Sequence, residues 1–167
     1  MRISDATPEH LGDIAPLFRE IVADGETYAY PEDLTDAQIG QAWLLPPPWR
    51  TLVAYAADGT FLGTAKVGPN QPGRGDHVAN ASFMVSPTAQ GRGVGLALAE
   101  EVLRWATEQG YAAMQFNAVV ETNQAAVALW QRLGFRILAT VPQAFRSRRH
   151  GLVGLHVMYR QLPPTGG

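Results

Sequence analysis

Apolar positions recur along this chain with two periods, and the changes between them mark out its elements. Arg2 to Ala6 reads as a short strand. Thr7-Pro8-Glu9 predicts a helix start, with Thr7 as N-cap and Pro8 at the first helical position. Leu11, Ile14, Phe18, Ile21 and Val22 continue at helical spacing. Pro16 falls inside that run, which predicts a kink or a helix that restarts after Asp13. Gly25 ends it, and Glu26 to Pro31 is a loop rich in aromatics. Thr35 to Trp43 predicts a second helix, stopped by Pro46-Pro47-Pro48. Thr51 to Ala57 and Phe61 to Val67 alternate as two strands. Asp58-Gly59 between them tolerates the positive φ angles of a type I′ turn. Gly68 to Gly75 is a loop, and His77 to Val85 a strand.

The strongest helical pattern runs from Gly93 to Gln109, with Leu96, Ala99, Val102, Leu103 and Ala106 on one face. Gly110 closes it. Ala113 to Val120 is a strand. Asn123 caps a helix in which Ala126, Leu129, Trp130 and Leu133 share a stripe, and Gly134 ends it. Phe135 to Val141 and Val153 to Arg160 are the last strands. This order predicts a mixed α/β sheet with antiparallel strands in its first half. The step from Val78 through Val119 should be a parallel, right-handed crossover. Residues 1–162 form one domain, and 163–167 are a short frayed tail.

Composition narrows the chemistry. The apolar share of 46% supports a buried core, and the net charge of −2 asks for neither nucleic acid nor an anionic membrane as partner. No stretch approaches the roughly 20 apolar residues that span a bilayer. The polar start at Arg2 to Asp5 carries no secretory pattern, so a cytoplasmic location is expected. With no cysteine, disulfides, zinc–thiolate sites and a cysteine nucleophile are excluded. His10, His77, His150 and His156 are scattered without metal-ligand spacing, and no metal is expected.

The segment from Val85 through Gln90-Gly91-Arg92-Gly93-Val94-Gly95-Leu96 carries a strand into a glycine-rich loop and then directly into a helix. The glycines bare backbone N–H groups, and the helix adds its unpaired N-terminal donors and positive dipole end. Together they suit a diphosphate without lysine or metal. A Walker loop would need Gly-Lys-Ser/Thr. A dinucleotide fold would want GxGxxG after the first strand and an acidic partner about 20 residues on, and neither is present.

Gln90-x-x-Gly93-x-Gly95, after a strand ending in Val-x-Pro, resembles the first signature of the GNAT superfamily of N-acetyltransferases. Asn123-x-x-Ala126 through Leu129-Trp130-x-x-x-Gly134-Phe135 resembles the second. The resemblance implies a mixed, mostly antiparallel sheet with helices on both faces and a splayed parallel strand pair at the cofactor slot. It implies an acetyl-CoA-dependent transfer of acetyl to an amine, and it allows a homodimer. Gln90 to Leu96, including Gly91, Arg92, Gly93, Val94 and Gly95, would hold the CoA diphosphate. Met84 and Val85 would pair through their backbone with the pantetheine amides, and Asn123 would hydrogen-bond near that arm. Trp130 stands where the family commonly has a tyrosine acid. An indole N–H donates but releases no proton at useful pH, so Trp130 is read as a wall of the slot.

Asn80-Ala81-Ser82-Phe83-Met84-Val85 and Phe116-Asn117-Ala118-Val119 are further similar to a fungal and bacterial subgroup that includes the yeast enzyme acetylating azetidine-2-carboxylate. That likeness implies a small-molecule amine acceptor, an amino acid or a proline-analogue imino acid, lined by Asn80, Phe83 and Asn117. Asn117 and neighbouring amides would receive its carboxylate. Tyr28, in the loop after the first helix, is a further candidate for the acceptor side. Glu26 and His77 are candidates for the general base, acting through water. Arg146, Arg148 and Arg149 read as a solvated loop between the last two strands. Rival readings are a protein or aminoglycoside acceptor, or a CoA-binding sensor without catalysis.

Overall fold

Seven strands form one sheet in the order β1-β2-β3-β4-β5-β7-β6. They are β1 (Arg2–Asp5), β2 (Arg50–Tyr55), β3 (Phe61–Pro69), β4 (Val78–Val85), β5 (Ala113–Val120), β6 (Arg136–Ser147) and β7 (Gly151–Gln161). The helices are α1 (Leu11–Asp24), α2 (Asp36–Trp43), α3 (Val94–Glu108) and α4 (Gln124–Arg132). This computed structural model describes residues 1–164; of the tail expected at 163–167, residues 165–167 lie outside the described residues. Every strand pair is antiparallel except β4–β5, which registers Val78 with Ala113 and Ala79 with Met114 and goes no further. Beyond Met114, β5 stays with β7 and leaves β4, so a gap opens between the two strands.

Alternation along the strands builds two cores. Ile14, Phe18, Ile39 and Trp43 from α1 and α2 pack with Val53 and Met84 on one face. Leu98, Val102 and Ala106 of α3 pack with Leu52, Ala65, Ala79 and Trp130 on the other.

Three local expectations are corrected. Thr7 and Pro8 start a 3-10 turn at Pro8–His10, and α1 then runs from Leu11 to Asp24 straight through Pro16. Gly12, whose carbonyl loses its N–H partner to Pro16, is exposed, so water can satisfy it. At the β2–β3 turn only Gly59 has positive φ; Ala56 N–H donates to Thr60 C=O across three residues, and the Asp58 carboxylate accepts from Thr60 N–H. That is the three-residue loop with a glycine bulge, not a type I′ pair. Finally, β6 reaches Ser147, passing an irregularity between Val141 and Phe145 where Gln143 has φ 54°. Arg146 therefore lies within a strand, opposite Leu152.

Candidate functional site: a cleft between a split strand pair and a helix start

The gap between β4 and β5 is the floor of a cleft of about 1340 Å³. It runs from the glycine loop at one end to the loop after α1 at the other. At the first end, the α3 helix starts at Gly93 with no side-chain cap, and its first helical bond is Ala97 N–H to Gly93 C=O. The N–H groups of Gly93, Val94, Gly95 and Leu96 thus lack helical partners. Gly91 and Gly93 hold φ of 74° and 77°, and nothing lies within 4 Å of where a Cβ would point at either. An open concavity of unpaired donors at a positive helix end is what a diphosphate requires. Gln90, Gly91, Gly93, Val94, Gly95 and Leu96 all border the cleft. Arg92 does not: it is exposed, and its N–H donates to Ala89 C=O at 3.3 Å.

β4 supplies the second polar surface. Val78 C=O accepts from Asn70 N–H, and Ser86 N–H donates to Leu62 C=O, both on the β3 side. Backbone groups alternate sides along a strand. The even residues of β4 therefore serve β3, while Ala81, Phe83 and Val85 turn theirs to the gap. Val85 thus presents an open strand edge at the gap, whereas Met84, expected to pair likewise, borders the cleft with its backbone turned to β3 and its side chain buried in the core.

The wall is aromatic. Trp130 lies 4.8 Å from Phe83 and 4.7 Å from Phe116, ring centre to ring centre, and Phe116 stacks on Phe135 at 4.4 Å. Asn123 caps α4 by accepting from Ala126 N–H at 3.2 Å, which leaves its amide N–H groups for the cleft it borders. Thr122, beside it, has a buried hydroxyl oxygen with no partner.

At the other end, Asn80, Phe83 and Asn117 are brought together along the cleft. Asn117 sits at the β5 irregularity between Phe116 and Val119. Its amide donates to Asn70 Oδ1 at 2.7 Å and its Oδ1 accepts from Gln115 at 2.9 Å, so its side chain is engaged. Tyr28 is aimed at backbone instead: its hydroxyl donates to Phe83 C=O at 2.7 Å and accepts from Phe83 N–H at 2.9 Å. Burial, partly countered by the Phe83 bond, pushes the Tyr28 phenol well above its ordinary range.

The two base candidates separate. His77 is exposed just before β4 begins, outside the cleft lining, eight residues and roughly 25 Å of strand from Val85. Glu26 borders the cleft, but both its oxygens are engaged: Oε2 accepts from Ser147 Oγ at 2.7 Å and Oε1 from Arg149 N–H at 2.9 Å. Burial pushes its carboxyl up. The bonds from Ser147 and Arg149 and the charges of Arg149 and His150 outweigh that and hold it below the usual carboxylate range. Two of the three arginines read as a solvated loop, Arg148 and Arg149, prove to be ties. Arg148 pairs with Glu32, and Arg149 with Asp24 at 2.7 Å, so the β6–β7 tip clamps the loop after α1. Sequence reasoning missed Glu20, Asp24 and His150 at this mouth. Asp24 is tied to Arg149, 125 residues on, and no local pattern marks any of the three.

An open strand edge and an uncapped helix start thus share one cleft. The acetyltransferase (GNAT) family model matches residues 15–135, and the chain belongs to this family. A GCN5-related N-acetyltransferase from Kribbella flavida is 56% identical, with a TM-score of 0.94 over 96% of this chain and 97% of that one. The L-methionine sulfoximine/L-methionine sulfone acetyltransferase of Pseudomonas aeruginosa is 30% identical over 98% of this chain and 95% of its own length. N-acetyltransferase aca1 of Schizosaccharomyces pombe is 34% identical over 62% of this chain, and the match spans 50% of that protein. Among the described residues no helix is long and apolar enough to cross a membrane. No group of three or more His, Cys, Asp or Glu that could hold a metal ion occurs among them either.

Proposed function

We propose that this protein is an acetyl-CoA-dependent N-acetyltransferase acting on the amine of a small molecule. The observation that carries it is the single cleft in which the uncapped start of α3 and the free edge of β4 face the same space. Acetyl-CoA supplies the acetyl group as a thioester. Gly91 and the amides of Gly93 to Leu96 hold its diphosphate, Val85 pairs with the pantetheine arm, and Asn123 donates to that arm from its capping position. A backbone N–H of β4 that faces the gap, next along from Val85, holds the thioester carbonyl and receives the charge that develops on its oxygen. The neutral amine attacks the thioester carbon directly in a ternary complex, since the chain has no cysteine to carry the acetyl group. The C–N bond forms, the C–S bond breaks, CoA leaves as its thiolate, and the proton lost from nitrogen passes through water to that thiolate or to solvent. Trp130, with its ring against Phe83 and Phe116, shapes the wall and keeps water from the acyl carbon.

The acceptor is an amino acid or a cyclic imino acid, held between Asn80, Phe83 and the strand irregularity at Asn117 and Ala118. The likeness over nearly the full length to an enzyme named for two methionine derivatives supports that class. A homodimer fits the same reading, since β6 is a sheet edge with Leu138 and Val141 exposed, and sedimentation would report it. The test of function is CoA release from acetyl-CoA, read by free-thiol detection. The acceptor panel is proline analogues, methionine sulfoximine, other amino acids, polyamines and short peptides. Turnover confined to amino or imino acids is expected. Turnover only with polyamines or peptides would overturn the acceptor class, and saturable CoA binding without turnover on any amine would overturn the enzyme.

A further inference from the structure

A ligand that adds to β4 as a strand uses the backbone pairs of the residues facing the gap. Val85 is the pair nearest the glycine loop, and Phe83 is the next, about 7 Å deeper toward the acceptor end. An arm anchored by its diphosphate at Gly91 to Leu96 passes Val85 first, so its acyl end arrives at Phe83. The Phe83 pair is already engaged. One hydroxyl oxygen, from Tyr28, accepts its N–H at 2.9 Å, the distance a carbonyl oxygen would hold. The same hydroxyl donates to the Phe83 carbonyl at 2.7 Å. Tyr28 reaches this place from the loop after α1, with its ring 5.9 Å from Tyr30 and 6.0 Å from Trp43. A side chain 55 positions away thus fills the Phe83 position of the β4 edge that the departure of β5 leaves bare.

We propose that the Tyr28 hydroxyl is a stand-in for the acyl carbonyl: it holds the Phe83 N–H in the free enzyme and yields it when an acylated donor binds. The inference rests on the acetyl-CoA reading of the cleft. Its consequence is selective. Acetyl-CoA carries a thioester carbonyl at its end that must displace Tyr28, whereas CoA ends in a thiol with no carbonyl there. Tyr28 therefore weakens binding of the acylated donor alone, and it keeps the Phe83 N–H out of water until the acyl group arrives. In this role Tyr28 is a positioning residue for the donor, not part of the acceptor pocket.

The experiment is calorimetric titration of acetyl-CoA and of CoA into the wild-type protein and Tyr28→Phe, which keeps the ring and its packing. Acetyl-CoA should bind the variant about fivefold more tightly, the weight of one net hydrogen bond no longer displaced, with CoA unchanged within twofold. Equal shifts for both ligands, or none for either, overturn the proposal. A wild-type protein that binds neither ligand overturns the cofactor reading itself, and this inference with it. The wild-type protein gives a second test that needs no variant. The Tyr28 ring resonances should move when acetyl-CoA is added and stay in place with CoA, and equal movement with both refutes the exchange.

Discussion

Lys66 is a cation without a counter-ion in the wall behind the acceptor loop. It projects from β3 with 8% of its surface exposed, and no ion pair involves it among the described residues. Its ammonium donates to Ala42 C=O at 2.7 Å and to the Tyr30 hydroxyl at 3.4 Å, and lies 5.1 Å from the Trp43 ring centre and 5.8 Å from that of Trp49. Burial lowers its pKa from 10.5 to about 8. Between those values the unfolded chain holds a proton that the folded one lacks, so stability rises with pH across this window. Below pH 8 both states are charged, and the fold carries the full cost. At about 1.4 kcal/mol per pH unit, the shift from 10.5 to about 8 is a cost of roughly 3 kcal/mol. In Lys66→Met the titration is gone. From pH 7 to 9.5 the wild-type protein should therefore gain about 2 kcal/mol relative to the variant. That corresponds to about 4–8 °C of melting temperature for a chain of this length. Urea titrations followed by tryptophan fluorescence at both pH values measure the difference directly, and the tyrosines common to both proteins cancel. A stability difference that stays constant with pH would show that the ammonium is held without cost, and the reasoning would fail.

Four further variants test the cleft. Gly93→Ala forces a side chain into left-handed backbone at φ 77° and into the open concavity, and should weaken acetyl-CoA binding tenfold or more by calorimetry. Gly95→Ala places its methyl 3.6 Å from Leu129 and 3.7 Å from Val85, ordinary contact, and should melt within a few degrees of wild type. Trp130→Phe should cost about 1–3 kcal/mol in a denaturant melt, with kcat falling less than tenfold and the pH–rate profile unmoved; loss of one limb of that profile would make Trp130 part of the proton chemistry. Glu26→Gln should lower kcat less than tenfold, since both oxygens hold the β6–β7 tip, and a loss of a hundredfold or more would restore it as the base. The Glu26 carboxyl lies below its unfolded value, so its contribution is present above about pH 4.5 and disappears as pH falls through the folded value. Melts of wild type and Glu26→Gln should converge there.

What the sequence showed best was whatever local spacing encodes. Gly91 and Gly93, Asn123 as a cap and the apolar face of α3 are each dictated within one turn of chain. The end of β6 was hidden because Pro142 and Gln143 interrupt its alternation, and the arginines beyond them read as solvent-facing. Their partners Glu32 and Asp24 lie more than 100 residues away. The same distance concealed what Glu26 and Tyr28 do. Sequence placed both on the acceptor loop, Glu26 as a base candidate and Tyr28 as a lining residue, and gave no sign of their bonds to Ser147 and Phe83. Asn117 was legible as a polar residue on β5, but not as one spent on Asn70 and Gln115.

These long-range ties share one origin. A parallel pair that ends after two registered residues leaves backbone groups on both strands without a ladder. Such groups cannot be buried unpaired without cost, so each must find a side chain, water or ligand. On the β5 side the irregularity at Asn117 and Ala118 interrupts the pairing with β7, and the Asn70–Asn117–Gln115 chain braces it. On the β4 side Tyr28 serves Phe83, while Val85 is left facing the gap at the lip of the glycine loop. The fold thus holds its free edge open near the phosphate end and closed at the acyl end. That asymmetry gives the cleft a direction: an arm can enter by the glycine loop and pair at once, and only a ligand with a carbonyl to offer gains anything by reaching Phe83.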